Sequence, residues 1–156
     1  LTGLLRERGV MTGGILALRI MEEGKTTGYD ITDIRTGDRT PFLRQTGDAE
    51  TGVERFTMDE AGHRAGQRAL DPALNRSVDV VIVDEAGPLE LRGEGWSERI
   101  TGILNETRAI IILAVRKNLI QDVTETFGIS PTGITDVANG DVVRFADEIT
   151  ALTIKR

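Results

Sequence analysis

Two adjacent carboxylates, Asp84 and Glu85, are the residues of this sequence whose position best suits chemistry. They directly follow an apolar run over residues 78–83 that only Asp79 interrupts. A short β-branched run of this kind is typical of a strand buried on both faces, as in a parallel sheet between layers of helices. Ligands bind at the carboxyl ends of such strands. Asp84 could hold Mg²⁺ there, directly or through water, and Glu85 could polarise an attacking water.

This arrangement is the Walker B pattern of nucleotide hydrolases, but two acidic residues after a strand are weak support on their own. Acidic residues also follow strands because the chain is leaving the core for water, and short motifs often match by chance. The residues that follow favour the nucleotide interpretation. Gly87 and Pro88 predict a turn, and residues 89–96 continue it with the segments LEL and GEGW.

The string VDEAGPLELRGEGW, residues 83–96, resembles the signature of the small P-loop nucleoside-triphosphatases, a family first described in hyperthermophiles and also present in humans. Bacterial members typically carry VDE-x-GPLEL followed by a GEGW-like segment. Residues 14–44 are similar to the family's inserted hairpin, in which a Gly-rich turn precedes GYD and a later turn carries TG. The resemblance covers residues 4–96 and continues more weakly to the end of the chain.

The resemblance implies hydrolysis of a nucleoside triphosphate, such as ATP or GTP, to the diphosphate and phosphate, with Mg²⁺ as cofactor. It implies that Asp84 belongs to the Mg²⁺ shell and that Glu85 orients or deprotonates water. Arg19 is either a cation beside the phosphates or a solvated strand residue. Glu90 is the next candidate carboxylate, or a surface residue of the turn. Arg116 could contact phosphates or simply open the next helix.

The phosphate-binding loop of such an enzyme, G-x-x-x-x-G-K-[ST], joins a strand to a helix and cradles phosphates with backbone N–H groups and a Lys. The stretch GKTT at residues 24–27 is a chance match, because position 19 is Arg and the surroundings predict a β-hairpin. Residues 2–8 predict the last turns of a helix that ends at Gly9. In the family that the chain resembles this helix directly follows the loop, so the resemblance implies that the Lys of the loop lies roughly one to two helical turns upstream of Leu1.

We therefore expect residues 1–156 to form a single P-loop NTPase-like domain that lacks the first strand and the Walker A loop. A chain without that cradle should hydrolyse nucleoside triphosphates negligibly by itself, because phosphoryl transfer depends on positioning and charge stabilisation by these groups.

The pattern of the remaining chain predicts strands that alternate with helices after residue 50, and an inserted antiparallel β-meander over residues 10–44. The predicted helices are residues 59–75, 96–107, 119–127 and 139–154, and Pro72 is expected to kink or end the first of them. A polar loop is predicted at residues 45–52, and strands are predicted near residues 53–58 and at residues 78–83, 109–115 and 129–137, with residues 109–115 fully buried. We predict an α/β fold of the P-loop NTPase type, with a mainly parallel sheet, helices on both faces and the added meander.

The composition fits a soluble globular protein. With 39% hydrophobic residues and no apolar run of about 18 residues, the chain predicts a core but no membrane span. The absence of cysteine fits a cytoplasmic protein and excludes thiolate chemistry. A net charge of −6 argues against a nucleic-acid partner. The single histidine, His63, is expected on the exposed surface of its helix.

Two other classes of function stay open on the sequence. The first is a non-catalytic nucleotide-binding or regulatory module, derived from an NTPase, that acts through a partner. The second is a hydrolase that uses carboxylates such as Asp84 and Glu90 as acid and base, as glycosidases do. Aromatic residues make up only 4% of the chain, which leaves few surfaces for stacking sugars.

Overall fold

A computed structural model of the chain describes residues 1–46 and 56–155. The strands are β1 (Thr12–Glu22), β2 (Lys25–Asp33), β3 (Arg39–Gln45), β4 (Phe56–Met58), β5 (Val80–Val83) and β6 (Ile110–Leu113). The helices are α1 (Thr2–Glu7), α2 (Glu60–Ala69), α3 (Pro88–Leu91), α4 (Ser97–Glu106), α5 (Ile120–Phe127) and α6 (Val142–Ile154). A 3₁₀ turn, Lys117–Leu119, precedes α5. Within these described ranges, no helix is both long and apolar enough to cross a membrane.

One six-stranded sheet runs through the described residues in the order β4-β3-β2-β1-β5-β6. β1, β5 and β6 pair in parallel, whereas β1 with β2, β2 with β3 and β3 with β4 pair antiparallel. The predicted α/β fold with an added meander is confirmed, but the described sheet is mixed rather than mainly parallel. The reason is that β1 is shared: it opens the meander and is also a strand of the parallel part.

Helices cover both faces of the parallel part, as predicted. Alternate side chains of β5 lie on opposite faces of the sheet. Val81 and Val83 belong to a core cluster with residues of α2 and α4, and Val80 and Ile82 belong to a second cluster with residues of α1 and α6. Burying such a side chain contributes roughly 1.5–3 kcal/mol. β5 is therefore anchored on both faces immediately before Asp84.

α1 ends in the glycine-based cap that the sequence predicts. Gly9 has a φ of 76°. The N–H of Gly9 donates to the carbonyl of Arg6 at 2.9 Å, and the N–H of Val10 donates to the carbonyl of Leu5 at 3.0 Å. These two bonds define a Schellman motif. Leu5 and Val10 are buried in the same core cluster, so the cap also fixes the path from α1 into β1.

β1 and β2 form a hairpin whose turn residues are Glu23 and Gly24. Both have positive φ, 47° and 79°, as in a two-residue type I′ turn. Glu22 pairs with Lys25 across the hairpin, and Lys25 is exposed. The GKTT stretch lies in a hairpin and not between a strand and a helix, which confirms that it is a chance match to the phosphate-binding loop.

The strand predicted at residues 129–137 is wrong. The segment is irregular, and every side chain over residues 130–143 is exposed. Pro131 has no N–H for a strand ladder, and the described sheet contains no strand from this segment.

The prediction of a fully buried strand at residues 109–115 is also wrong. β6 is shorter and only half-buried, because it lies at the edge of the described sheet.

Two helices are shorter than predicted. α2 ends at Ala69 and not near residue 75. Of the two effects expected of Pro72, a kink or an end, the structure shows the end, because proline cannot continue a helix and disfavours the helical conformation of the residue before it. α6 begins after Asp141 and not at residue 139. The carboxylate of Asp141 accepts hydrogen bonds from two N–H groups of the first turn, which makes it the N-cap.

The prediction that His63 is a plain surface residue is wrong. His63 is half-buried, and its ring stacks on Trp96 with 5.4 Å between centroids and 22° between planes. The sequence could not indicate this contact, because it joins α2 to a residue 33 positions later.

The predicted loop at residues 45–52 and the start of the strand near residue 53 lie almost entirely outside the described residues.

Gly14 is the point at which β1 and β5 approach too closely for a side chain. It has a φ of +98°, and a Cβ there would lie 2.0 Å from the carbonyl oxygen of Ile82. We expect Gly14→Ala to lower the free energy of unfolding by about 2 kcal/mol or more, because the backbone and the strand contact must both distort. Urea unfolding at equilibrium measures this change.

Gly3→Ala is the matched control, because Gly3 lies in α1 with nothing within 4 Å of its would-be Cβ. It should be neutral or stabilising by up to about 1 kcal/mol. Equal stability of the two variants would contradict the close approach of β1 and β5.

Candidate functional site

Asp84 is placed by the pairing of β5 with β1. Its N–H donates to the carbonyl of Ile15 at 3.2 Å, and its Oδ2 accepts a hydrogen bond from the N–H of Ala17 at 3.0 Å. The side chain is half-buried. Burial raises the pKa of the Asp84 carboxyl and the neighbouring charge of Glu85 adds to this, whereas the bond from Ala17 opposes them.

The chemistry of Asp84 suits a magnesium ion. Its Oδ1 has no hydrogen-bond partner among the described residues, so one carboxylate oxygen remains for a ligand. No group of three or more His, Cys, Asp or Glu side chains converges on a metal position in the part of the chain described. Mg²⁺ is commonly held by one or two carboxylates, with water and substrate phosphates completing its shell. A single carboxylate that is unfavourably buried fits that pattern.

Glu85 follows in a strained conformation and is paired with Arg116. Its φ is 71°, a left-handed value that is uncommon for residues other than glycine. Nη2 of Arg116 donates to Oε1 of Glu85 at 2.7 Å. Backbone bonds from Ala86 to Ala114 and from Ala114 to Val83, at 2.8 and 3.0 Å, hold the ends of β5 and β6 together. Residues 31 positions apart are thereby brought to one edge of the sheet.

Arg19 lies further along β1 and is exposed. It is two residues beyond Ala17 and so faces the same side of the strand, with their Cα atoms about 6.6 Å apart at 3.3 Å per residue. The Arg19 side chain makes no hydrogen bond or ion pair with another described residue, although its backbone pairs with Tyr29 of β2. The structure thus groups Asp84, Glu85 and Arg116, with Arg19 on the strand beside them.

Glu90 does not belong to this group, and neither of the two roles predicted for it fits the structure. It is only 4% exposed, so its interpretation as a surface turn residue is wrong. Oε2 accepts a hydrogen bond from the N–H of Gly87 at 2.9 Å, and Oε1 accepts one from the N–H of Trp96 at 3.0 Å. Both oxygens are therefore engaged by the backbone. Pairing Glu90 with Asp84 as an acid–base couple is not supported.

Glu90 instead ties the turn after Glu85 to the start of α4, a role that the sequence analysis missed. The sequence contains one signal of this burial, the glycine at position 95. Gly95 has a φ of +55°, and a Cβ there would come within 2.3 Å of Oε1 of Glu90. Gly95 of the GEGW segment therefore leaves room for the buried carboxylate.

Comparison with known proteins finds a family model and relatives that match most of the chain. A family model described as NTPase matches residues 1–142. Nucleoside-triphosphatase THEP1 of Methanopyrus kandleri is 33% identical over 97 residues, which cover 62% of this chain and 53% of that protein. Nucleoside-triphosphatase THEP1 of Thermoplasma volcanium is 28% identical over 151 residues, which cover 92% of this chain and 82% of that protein.

The fold has a counterpart among solved structures. The crystal structure of THEP1 from the hyperthermophile Aquifex aeolicus matches with a TM-score of 0.61 at 17% identity, covering 97% of this chain and 91% of that one. At this identity the match shows the fold alone. The aligned region spans about half of the Methanopyrus protein and 62% of its counterpart from Methanocaldococcus jannaschii.

Asp84→Asn should separate the effect of the carboxylate on stability from its use in binding. The pKa of Asp84 is raised above 3.8 in the folded chain, so the folded chain holds this proton more tightly than the unfolded chain does. The free energy of unfolding attributable to Asp84 therefore falls as pH rises through the raised pKa. The asparagine of the variant still offers an oxygen to the N–H of Ala17 but does not titrate. We therefore expect the free energy of unfolding of the variant not to fall in this pH range, and the variant to be more stable than the parent protein at pH 7 without metal.

Chemical denaturation from pH 3.5 to 7, with and without millimolar Mg²⁺, measures both effects. Mg²⁺ should stabilise the parent protein and leave the Asn variant unchanged, because a ligand stabilises only the state that binds it. An Asn variant that is less stable at pH 7, or equally stabilised by Mg²⁺, would contradict the assignment of Asp84.

Glu90→Gln should destabilise the fold, because an amide cannot accept from both N–H groups. The loss is expected at about 2–3 kcal/mol, the range for bonds to a buried charged group. Glu94→Gln is the control, since Glu94 belongs to the same segment but is exposed. The midpoints of urea unfolding compare the two variants, and equal midpoints would mean that Glu90 does not secure the turn.

Proposed function

Because the chain belongs to the small P-loop nucleoside-triphosphatase family, we propose that it carries the metal-binding and water-activating residues of an enzyme that hydrolyses nucleoside triphosphates to diphosphates and phosphate. The observation that carries the proposal is the position of Asp84 and Glu85 at the carboxyl end of β5, with one oxygen of Asp84 unengaged by the described residues. The activity is Mg²⁺-dependent, and the substrate is a nucleoside triphosphate such as ATP or GTP.

Asp84 holds the metal, directly or through water, in this proposal. Bound Mg²⁺ would supply charge neutralisation at the phosphate oxygens. The Ala17 N–H keeps the Asp84 side chain oriented without using its second oxygen. A single fixed carboxylate leaves the other coordination positions to water and to the nucleotide.

Glu85 orients the attacking water and accepts its proton. Its left-handed backbone and its position after β5 carry the carboxylate out of the core toward solvent. Arg116 binds Glu85 in this structure and would exchange that partner for a phosphate oxygen when the nucleotide enters. Arg19 adds a second cation on the neighbouring strand. Guanidinium groups suit phosphate because their planar donors match two of its oxygens.

The 156 residues contain no G-x-x-x-x-G-K-[ST] motif. The chain by itself is therefore proposed to release phosphate at a negligible rate, since losing one preorganised donor to developing charge already costs about 10²–10³ in rate. Comparing phosphate release by this chain with that of the product of the complete gene tests the idea. It fails if a complete gene product that carries the motif is no faster than the isolated chain.

A non-catalytic nucleotide-binding module is the second candidate, favoured by the engagement of Glu85 with Arg116. Both candidate functions include nucleotide binding, but only the enzyme hydrolyses the nucleotide. Kinetics of the Glu85 and Asp84 variants therefore separate them.

In the product of the complete gene, Glu85→Gln should lower turnover by about 10² or more and leave Mg-nucleotide affinity unchanged, because positioning of water matters mainly in the transition state. Asp84→Asn should weaken the Mg²⁺ dependence of binding itself. Steady-state phosphate release and competitive nucleotide binding measure these two quantities.

Lys25→Ala is the control for both variants. Lys25 is an exposed residue of the β1–β2 hairpin, so its replacement should change nucleotide affinity by less than about twofold. Small and equal effects of the Glu85 and Asp84 changes would show that this edge of the sheet is ordinary surface. No turnover in the parent, with intact Mg-nucleotide binding, would favour the non-catalytic module.

A further inference from the structure

An open cavity of about 420 Å³ lies at the end of the sheet opposite Asp84 and Glu85. Its wall forms where α1 ends, where β1 begins and where the chain enters β5. The length of β5 separates the cavity from Asp84, roughly 13 Å at 3.3 Å per residue. Its volume is within the range of small-molecule sites, about 300–1,000 Å³.

The wall of this cavity contains two guanidinium groups and no carboxylate, in a chain whose net charge is −6. Nη2 of Arg6 donates to the carbonyl oxygen of Ile34, which fixes the Arg6 side chain. Arg35 is the next residue after Ile34. Both cations therefore line the same cavity, although they belong to α1 and to the turn after β2.

Two carboxylates near the cavity are already engaged. Asp33 accepts a hydrogen bond from the backbone N–H of Arg35 at 2.9 Å and lies 3.7 Å from its Nη2. Asp79 accepts a hydrogen bond from the N–H of Met11 at 2.8 Å. Asp33 forms an ion pair with Arg35, but at 3.7 Å its carboxylate takes no hydrogen bond from the guanidinium, whose N–H donors stay available.

Thr12 also lines the cavity and is 6% exposed. Its Oγ1 has no hydrogen-bond partner among the described residues. A buried hydroxyl without a partner is unfavourable, and an acceptor bound in the cavity that Arg6 and Arg35 also line would supply the missing partner. The carbonyl groups of residues 4–6 near the end of α1 accept from N–H groups of residues 8–10, so these three oxygens are already paired.

We propose that this cavity binds the oxyanion of a small molecule, a phosphate or carboxylate group, through Arg6 and Arg35 with Thr12 as a hydroxyl donor. A guanidinium group presents parallel donors that match two oxygens of either anion. Val10 and Val78 give the wall an apolar part that suits the organic portion of such a molecule. This anion site is separate from the proposed nucleotide site, because the two share no residue.

Titration of the nucleotide-free gene product with inorganic phosphate and with acetate, at constant ionic strength set by chloride, tests the proposal. Amide NMR signals of residues 9–12 and 77–78 should shift saturably with one or both anions. The anion that causes the shifts identifies whether the ligand carries a phosphate or a carboxylate group. Arg35→Gln should weaken the affinity about tenfold or more, the usual effect of losing a charged hydrogen bond. Arg64→Gln removes the same charge from an exposed position on α2 and should change nothing.

Thr12→Val gives an independent readout, because valine keeps the shape of threonine without the hydroxyl. Without an added anion the variant should unfold at a higher temperature than the parent, since a buried unpaired hydroxyl is removed. Its affinity for the active anion should fall about fivefold or more. The proposal is overturned if neither anion shifts these amides, if the shifts occur only at residues 84–87, or if Thr12→Val leaves stability and affinity unchanged.

Discussion

The parallel pairing of β1 with β5 is the contact on which the rest of the structure depends. Gly14 allows the two backbones to approach closely, and the resulting register brings the N–H of Ala17 to Oδ2 of Asp84. Because β1 continues into the β-meander, the same pairing joins the meander to the parallel part of the sheet. A slip of one residue would turn every side chain of the strand to the other face and would remove the donor from Asp84.

The edge of the sheet that this pairing builds keeps two features that are unfavourable for stability alone. Burial raises the pKa of the Asp84 carboxyl, and Glu85 holds a left-handed backbone. Such features persist where the surrounding structure determines them, and they occur often at functional sites. Here the bonds between the ends of β5 and β6, together with the buried Glu90, fix the turn. A cation at Asp84 would offset the burial of its charge, which is why the carboxylate suits a metal better than a structural role.

The parts of the fold that follow from local pattern were predictable, and those that depend on distant partners were not. The buried strand before Asp84 and the β1–β2 hairpin are encoded by consecutive residues, and both are present. The segment at residues 129–137 has a strand-like composition but no strand partner among the described residues, so it stays irregular. Glu90 is an acidic residue of a kind usually found on the surface, and its burial depends on hydrogen bonds from the N–H groups of Gly87 and Trp96. The contact between Arg116 and Glu85 likewise depends on how β5 and β6 pair, which the sequence alone does not reveal.

The most direct measurement of the central claim is to locate the metal in the nucleotide complex. With Mn²⁺ in place of Mg²⁺ and a nucleoside diphosphate bound to the product of the complete gene, paramagnetic broadening of amide NMR signals reports distance from the metal. We expect the strongest broadening at Ala17 and at residues 84–87, weaker broadening at residues 77–79 at the far end of β5, and loss of the pattern in Asp84→Asn. Broadening centred on another part of the chain, or a pattern unchanged by Asp84→Asn, would contradict the assignment of Asp84 as the metal-binding residue.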